Sequence, residues 1–313
     1  MSHSAPPQDA VSVLTQEFLV DDPCSIAVDV PGAVTTLRPG ADPGHVEINV
    51  SVAGCPPEEA ERVLDRLDIG SHQRKDTVRV SSDADRSTAE WWRWLRTLDV
   101  TLLIELRCPD RVKADLSIPG GKVDIANLEG HFDLDVMGSP CHVQHLTGTL
   151  DIRAESSDVT IEQFTGEDLL ARVASGRLSV ADVEADTITL RSVDAPVTLQ
   201  RATGETQITA NSTPVTIEAL TGPCTARGHG GTLHYHGCPS AATDLSSIGG
   251  ALDVTLPADC GVDLTMTAAS PVLDEAFAFE GDRLEEEIVG TLNGGGVPLR
   301  LHTRGASLRC TAA

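Results

Sequence analysis

The middle of this chain repeats every 18–19 residues, and few folds of 313 residues tolerate such a period. Val123, Cys141, Val159, Leu178, Val197, Val215, Leu233 and Leu252 head successive units, at steps of 18, 18, 19, 19, 18, 18 and 19 residues. Two positions on stand Ile125, Val143, Ile161, Val180, Leu199, Ile217, Tyr235 and Val254. A further column runs Leu128, Leu146, Phe164, Val183, Ala202, Leu220 and Cys238, followed two residues later by a turn residue: Gly130, Gly148, Gly166, Ala185, Gly204 and Gly222.

Within each unit apolar and polar residues alternate with a period of two, so one face of an extended strand is apolar. Val143 lies between His142 and Gln144, and Thr160-Ile161-Glu162 and Thr216-Ile217-Glu218 repeat the pattern. After the turn residue a second, separate strand is expected, as in Phe132/Leu134/Val136 and Leu150/Ile152/Ala154. The two consecutive 19-residue steps are assigned to one extra residue after Gly166 and after Ala185. A unit this short holds no crossover helix and cannot bury its apolar face alone, so it must stack on copies of itself. The expected fold is all-β: a β-helix or β-solenoid of 18–19-residue coils, spaced roughly 4.8 Å apart. An antiparallel meander folded into a sandwich shares the strand period and stays open at this point. The matched inward columns favour stacking.

Four regions follow. Residues 1–16 read as a polar tail, 17–118 as an N-terminal cap region, 119–256 as regular solenoid repeats, and 257–313 as looser coils of β-strand. In the cap region Ser25 to Leu37 and His45 to Val52 read as strands, separated by the turn material of Arg38 to Gly44. The one helix is expected over 56–69. Pro56-Pro57-Glu58-Glu59 opens it, Ala60, Val63, Leu64 and Leu67 form its apolar stripe, and Gly70 stops it. A solenoid end exposes apolar surface and unpaired strand groups, which gives such a cap its purpose.

Charge narrows the range of partners. A net charge of −24 argues against nucleic acid and anionic membranes, both of which attract basic patches. Acidic residues are spread along outward positions, as in a soluble protein from a salty cytoplasm. Met1 to Asp9 has no signal-peptide pattern, and no apolar run reaches the length of a membrane span. The expected location is therefore cytoplasmic. Of the 8 cysteines, Cys141 and Cys238 fall in inward columns and Cys224 holds the column of Phe132 and Leu150, so reduced, buried thiols are expected.

The V-x-I-x-x-L-x-G spacing of Val123 to Gly130 and Val159 to Gly166 carries a resemblance, as does the stretch Gly249 to Pro257. Gly294-Gly295-Gly296 before Leu299-Arg300-Leu301-His302-Thr303 completes it. On these motifs, from about residue 18 to the end, the chain resembles the bacterial "putative adhesin" family of β-strand-repeat proteins, a domain of unknown function. The resemblance implies a β-strand-repeat fold and brings no catalytic motif with it.

Three constellations merit attention as sites. Trp91, Trp92, Arg93 and Trp94 hold every tryptophan of the chain beside arginine, the composition of an interface anchor or a carbohydrate-stacking surface. A loop folded back on the solenoid end explains the same residues. His234 and His236 share an outward face, and stacking would set Glu218 beside them. Two imidazoles and a carboxylate suit zinc, although two exposed histidines on a polar face need no metal. Asp133, Asp135 and Asp151 cluster outward, but short turns leave no long loop to wall a cleft, so catalysis is not expected. No cofactor is implied. The reading is a non-catalytic scaffold or interaction module, with self-association through a solenoid end or the Trp segment, or binding of a protein partner. A carbohydrate- or metal-binding protein is the alternative, and a polysaccharide-active enzyme the remote one.

Overall fold

The computed structural model describes residues 10–40, 42–82 and 100–313. They form twenty-four strands and one helix, in two compact units cut between Asp158 and Val159. The first unit holds β1 (Val11–Leu19), β2 (Cys24–Asp29), β3 (Ala33–Pro39), β4 (His45–Ala53), α1 (Pro57–Leu67), β5 (Ile69–Arg74) and β6 (Thr77–Ser82). After these come β7 (Thr101–Cys108), β8 (Arg111–Pro119), β9 (Lys122–Met137) and β10 (Cys141–Glu155). The second runs through β11 (Asp158–Ala174), β12 (Arg177–Val193), β13 (Val197–Asn211), β14 (Val215–Thr221), β15 (Cys224–His229), β16 (Leu233–His236), β17 (Thr243–Ile248) and β18 (Leu252–Leu256). It ends with β19 (Val262–Thr267), β20 (Pro271–Leu273), β21 (Phe279–Arg283), β22 (Glu287–Leu292), β23 (Val297–Arg304) and β24 (Leu308–Ala312).

The repeats stack in parallel and in register, which makes each unit a β-solenoid and removes the antiparallel sandwich. In the first unit Val123 pairs with Cys141, Ile125 with Val143 and Phe132 with Leu150. In the second, Leu178 pairs with Val197, Val197 with Val215, Val215 with Leu233, and Leu233 with Leu252. Like apolar residues therefore lie over one another, and these columns are buried. Each large side chain so enclosed contributes about 1.5–3 kcal/mol.

The expected second strand is not separate. β9 and β10 run unbroken across Gly130 and Gly148, and the chain turns at single residues of positive φ: Asn127 (61°), His145 (52°), Gly130 (139°) and Gly148 (123°). One residue suffices because ladder pairing continues on both sides of the bend. Glycine recurs at the second bend for a steric reason. A Cβ on Gly148 would stand 2.0 Å from the carbonyl oxygen of Gly130 in the coil beneath. Where Ala185 takes that place, Ala185 and Asp186 together oppose Gly204 as a bulge between Glu184 and Thr187. The bulge is the extra residue of that 19-residue step.

Small residues line a third, inner corner. Ser139 accepts a hydrogen bond from the Gly121 backbone N–H at 2.8 Å, and Ser157 accepts one from the Ser139 N–H at 3.1 Å. The buried serines thus supply acceptors for corner N–H groups, which would otherwise lose hydration without replacement.

Coil order departs from chain order in both units. In the first, β2 pairs with β6 and β8, while β3 pairs with β7 and β9. The coil Cys24–Pro39 is therefore inserted between two coils that follow each other in sequence. In the second unit β23 lies between β17 and β19, and β24 between β18 and β20. Antiparallel strands cover the outer layers: β5 on β6, β4 on β7 and β1 on β4, then β22 on β19 and β21 on β22.

Several local expectations change. β1 starts at Val11, so the boundary drawn at 16/17 falls inside a strand. The single strand expected over 25–37 is two, turned through Gly32 at φ 78°. α1 ends at Asp68 in the left-handed region rather than at Gly70, which already belongs to β5. Leu64, expected on the buried stripe, is only half-buried beside the buried Ala60, Val63 and Leu67. Cys238 leaves its inward column, because β16 ends at His236, and forms a disulfide with Cys260. The other cysteines are free thiols, all buried except the half-exposed Cys55. No helix among the described residues is long and apolar enough to cross a membrane.

Candidate interaction surfaces

The sequence-predicted residues fall in different places. Trp91, Trp92, Arg93 and Trp94 lie outside the described residues. His234 pairs in register with Thr216 and Asp253, and His236 with Glu218 and Thr255. Both imidazoles are exposed. His234 Nδ1 stands 3.7 Å from Asp253 Oδ2, while Glu218 accepts a hydrogen bond from Gln200 Nε2 at 2.8 Å. Each imidazole thus has a carboxylate-bearing residue as a ladder neighbour, on opposite sides. Among the described residues no three His, Cys, Asp or Glu side chains converge on a position a metal ion could fill.

Two of the outward aspartates share one cation. Asp133 and Asp151 are ladder partners, and Arg153 reaches both, with Nη1 at 3.3 Å from Asp133 Oδ1 and Nη2 at 3.2 Å from Asp151 Oδ2. A guanidinium between two carboxylates offsets part of their mutual repulsion in the stack. A second bridge joins layers in the same unit, with Arg38 Nη2 at 2.7 Å from Asp124 Oδ1. On the second unit Arg201 forks onto Asp182 at 2.6 and 2.9 Å. That hydrogen-bonded guanidinium lowers the Asp182 carboxyl below its ordinary range.

The buried thiols are chemically quiet. Burial pushes Cys24 up to about 11, and Cys141, Cys224 and Cys310 up to about 12. The thiolate is the reactive form, so these sulfurs behave as small apolar side chains.

Single apolar residues face solvent at corners of both units, with polar ladder neighbours such as Glu155 beside Met137 and Asn211 beside Val193. Met137, Val193 and Ile248 are 52%, 46% and 49% exposed, and each immediately precedes a corner residue of positive φ: Gly138, Asp194 and Gly249. Strand alternation marks these positions as outward, so an apolar residue there was the signal available in sequence.

The outermost strands present another kind of surface. Among the described residues β5 pairs only with β6, and β21 only with β22. The β5–β6 hairpin carries His72, Arg74, Lys75 and Arg79 against the single carboxylate Asp76. β21, β22 and their turn carry Glu280, Asp282, Glu285, Glu286 and Glu287 against the single cation Arg283, which lies 4.9 Å over the Phe279 ring. Exposed apolar residues accompany both. The backbone carbonyl of Leu19, itself 71% exposed, is held by Gln73 of β5 at 2.6 Å, and Leu284 (64%) and Val289 (42%) flank the acidic turn.

No family model matches the sequence, and no curated protein matches it. Solved structures do. One described as a putative adhesin from Parabacteroides merdae is 12% identical, covers 97% of this chain and 96% of its own, and has a TM-score of 0.46. Another from Parabacteroides distasonis is 10% identical, covering 95% and 96%, with a TM-score of 0.39. A third from Bacteroides fragilis is 8% identical, covering 98% and 99%, with a TM-score of 0.30.

Proposed function

We propose that this chain is a non-catalytic scaffold or interaction module that associates with further copies of itself. One observation carries the reading: the outer strands β5 and β21, like β1 and β20, have a second edge with no strand partner among the described residues. An open edge offers a row of backbone donors and acceptors, and a strand of another chain is their natural complement. The solenoid body supports the same reading. Many of its turns are made by single residues, its outward positions are mostly polar, and the Asp133–Asp151 carboxylate pair shares Arg153. A cytoplasmic setting belongs to the proposal, supported by five buried, unpaired thiols; the Cys238–Cys260 bond is the feature that argues for an oxidising one.

Light scattering on size-exclusion fractions tests the proposal across protein and salt concentrations. The expected result is a mass that rises with protein concentration. A monomer mass at every concentration and salt overturns it.

A further inference from the structure

We propose that copies of this chain join head to tail, the basic edge of β5 in one copy pairing with the acidic edge of β21 in the next. The inference rests on the self-association reading and supplies its contact.

Both edges are suited to strand addition. β5 has 6 residues and β21 has 5, so their lengths match. Each is the outer strand of an antiparallel hairpin. Among the described residues neither strand has a ladder partner on its second edge. His72, Gln73 and Arg74 of β5 and Glu280 to Arg283 of β21 are exposed.

Charge selects which edge meets which. In a chain of net charge −24, a hairpin with Arg74, Lys75 and Arg79 against Asp76 alone is the local exception. Five carboxylates crowd the other hairpin. Pairing β5 with β5 would set cation beside cation, and β21 with β21 carboxylate beside carboxylate; like charges directly opposite destabilise a strand pair. Only the unlike pairing brings Arg74, Lys75 and Arg79 to Glu280, Asp282 and Glu285 to Glu287. Apolar surface lies beside both edges, Leu19 near β5 and Leu284 and Val289 near β21, so the contact joins apolar area to a charged rim.

Such a contact uses different surfaces on its two sides. Each added copy therefore leaves one edge of each kind free, and growth continues unless the rotation closes a ring. Its electrostatic part weakens as salt rises, since the screening length is about 10 Å at 0.1 M and 3 Å at 1 M.

Two reversed-charge variants of the full chain test the pairing. The first is R74E/K75E/R79E, and the second is E280K/D282K/E285K. The first has two acidic edges and the second two basic ones, so each alone should need at least about tenfold more protein to assemble than the parent chain. An equimolar mixture offers only acidic-with-basic contacts between unlike chains, and should recover assembly to within about twofold of the parent. Recovery also shows that both variants are folded. If the parent chain assembles and both variants assemble as it does, self-association stands and this pairing is overturned. Loss in each variant without recovery in the mixture overturns it too. A parent chain that stays monomeric at low salt removes the self-association reading itself.

Discussion

Leu252 is the ladder partner of Leu308, although the strand that follows it in the chain, β19, belongs to a layer farther out. The C-terminal coil has been slotted into the stack behind its neighbours. Thr35 against Val123 records the same device in the first unit, where the coil Cys24–Pro39 fills a gap between later ones. A coil slotted in this way is paired on two edges rather than one.

That order predicts how damage spreads. Leu301 is 1% exposed and pairs with Leu245 on one side and Met266 on the other. Leu301→Ala should cost about 2–5 kcal/mol through lost burial and the cavity it leaves. Hydrogen exchange should quicken in β17 and β19 together. Faster exchange in β19 alone would mean that the coils follow chain order after all.

Glycines at the bends separate steric crowding from backbone preference. Gly148 and Gly249 both have positive φ, 123° and 72°. A Cβ on Gly249 meets nothing within 4 Å, whereas one on Gly148 meets the Gly130 carbonyl oxygen at 2.0 Å. Gly249→Ala should therefore cost about 1–2 kcal/mol, the ordinary charge for a left-handed residue. Gly148→Ala should cost more, because two ladders must separate to admit the methyl group. Denaturant midpoints of the two variants, compared with the parent, measure the difference.

Much of this was legible in the sequence, and the reason is stacking. Where coils lie in register, like residues must recur, so Val123 over Cys141 and Leu233 over Leu252 show as a spacing. Insertion of the terminal coils leaves no such mark, since alternation in Cys24–Asp29 or Leu299–Leu301 is the same whichever coil lies beneath. Cys238 kept the spacing of its column but lay beyond the end of β16, where spacing no longer reports direction. The bend at Gly130 and the bulge at Ala185–Asp186 conserve strand pairing, and a reading built on turns broke the strands there. On the surface, Met137 and Val193 stood at outward positions with no chemistry to draw notice. The basic β5–β6 hairpin was hidden inside a large negative total.

The Cys238–Cys260 disulfide ties the start of the looser C-terminal region to the regular coils and encloses β17 and β18. Its closed loop spans a sequence separation of 22 residues, for which loop-closure entropy suggests about 3 kcal/mol. Reduction, or Cys238→Ser with Cys260→Ser, should lower the midpoint of thermal unfolding. The other buried thiols remain outside reach in the folded state. An unchanged midpoint with confirmed loss of the bond would show that the closed loop adds nothing to the stack.

Buried thiols make the fold sensitive to alkali. Cys141 titrates near 12 in the folded chain against an ordinary value of 9.0, because burial penalises its thiolate, and Cys224 and Cys310 share that shift. The unfolded chain therefore releases these protons first as pH rises. Between about pH 9 and 12 it binds fewer of these protons than the native state, so the thiols' contribution lowers stability across that window and is flat below it. Native labelling at pH 8 should accordingly modify Cys55, the one half-exposed free thiol, and leave the five buried ones until denaturant is added. Replacing Cys141 with Ala should flatten part of the alkaline loss, at the expense of some packing at every pH. If the stability curve between pH 9 and 12 is unchanged by that replacement, Cys141 ionisation is not coupled to unfolding and its column is open to water.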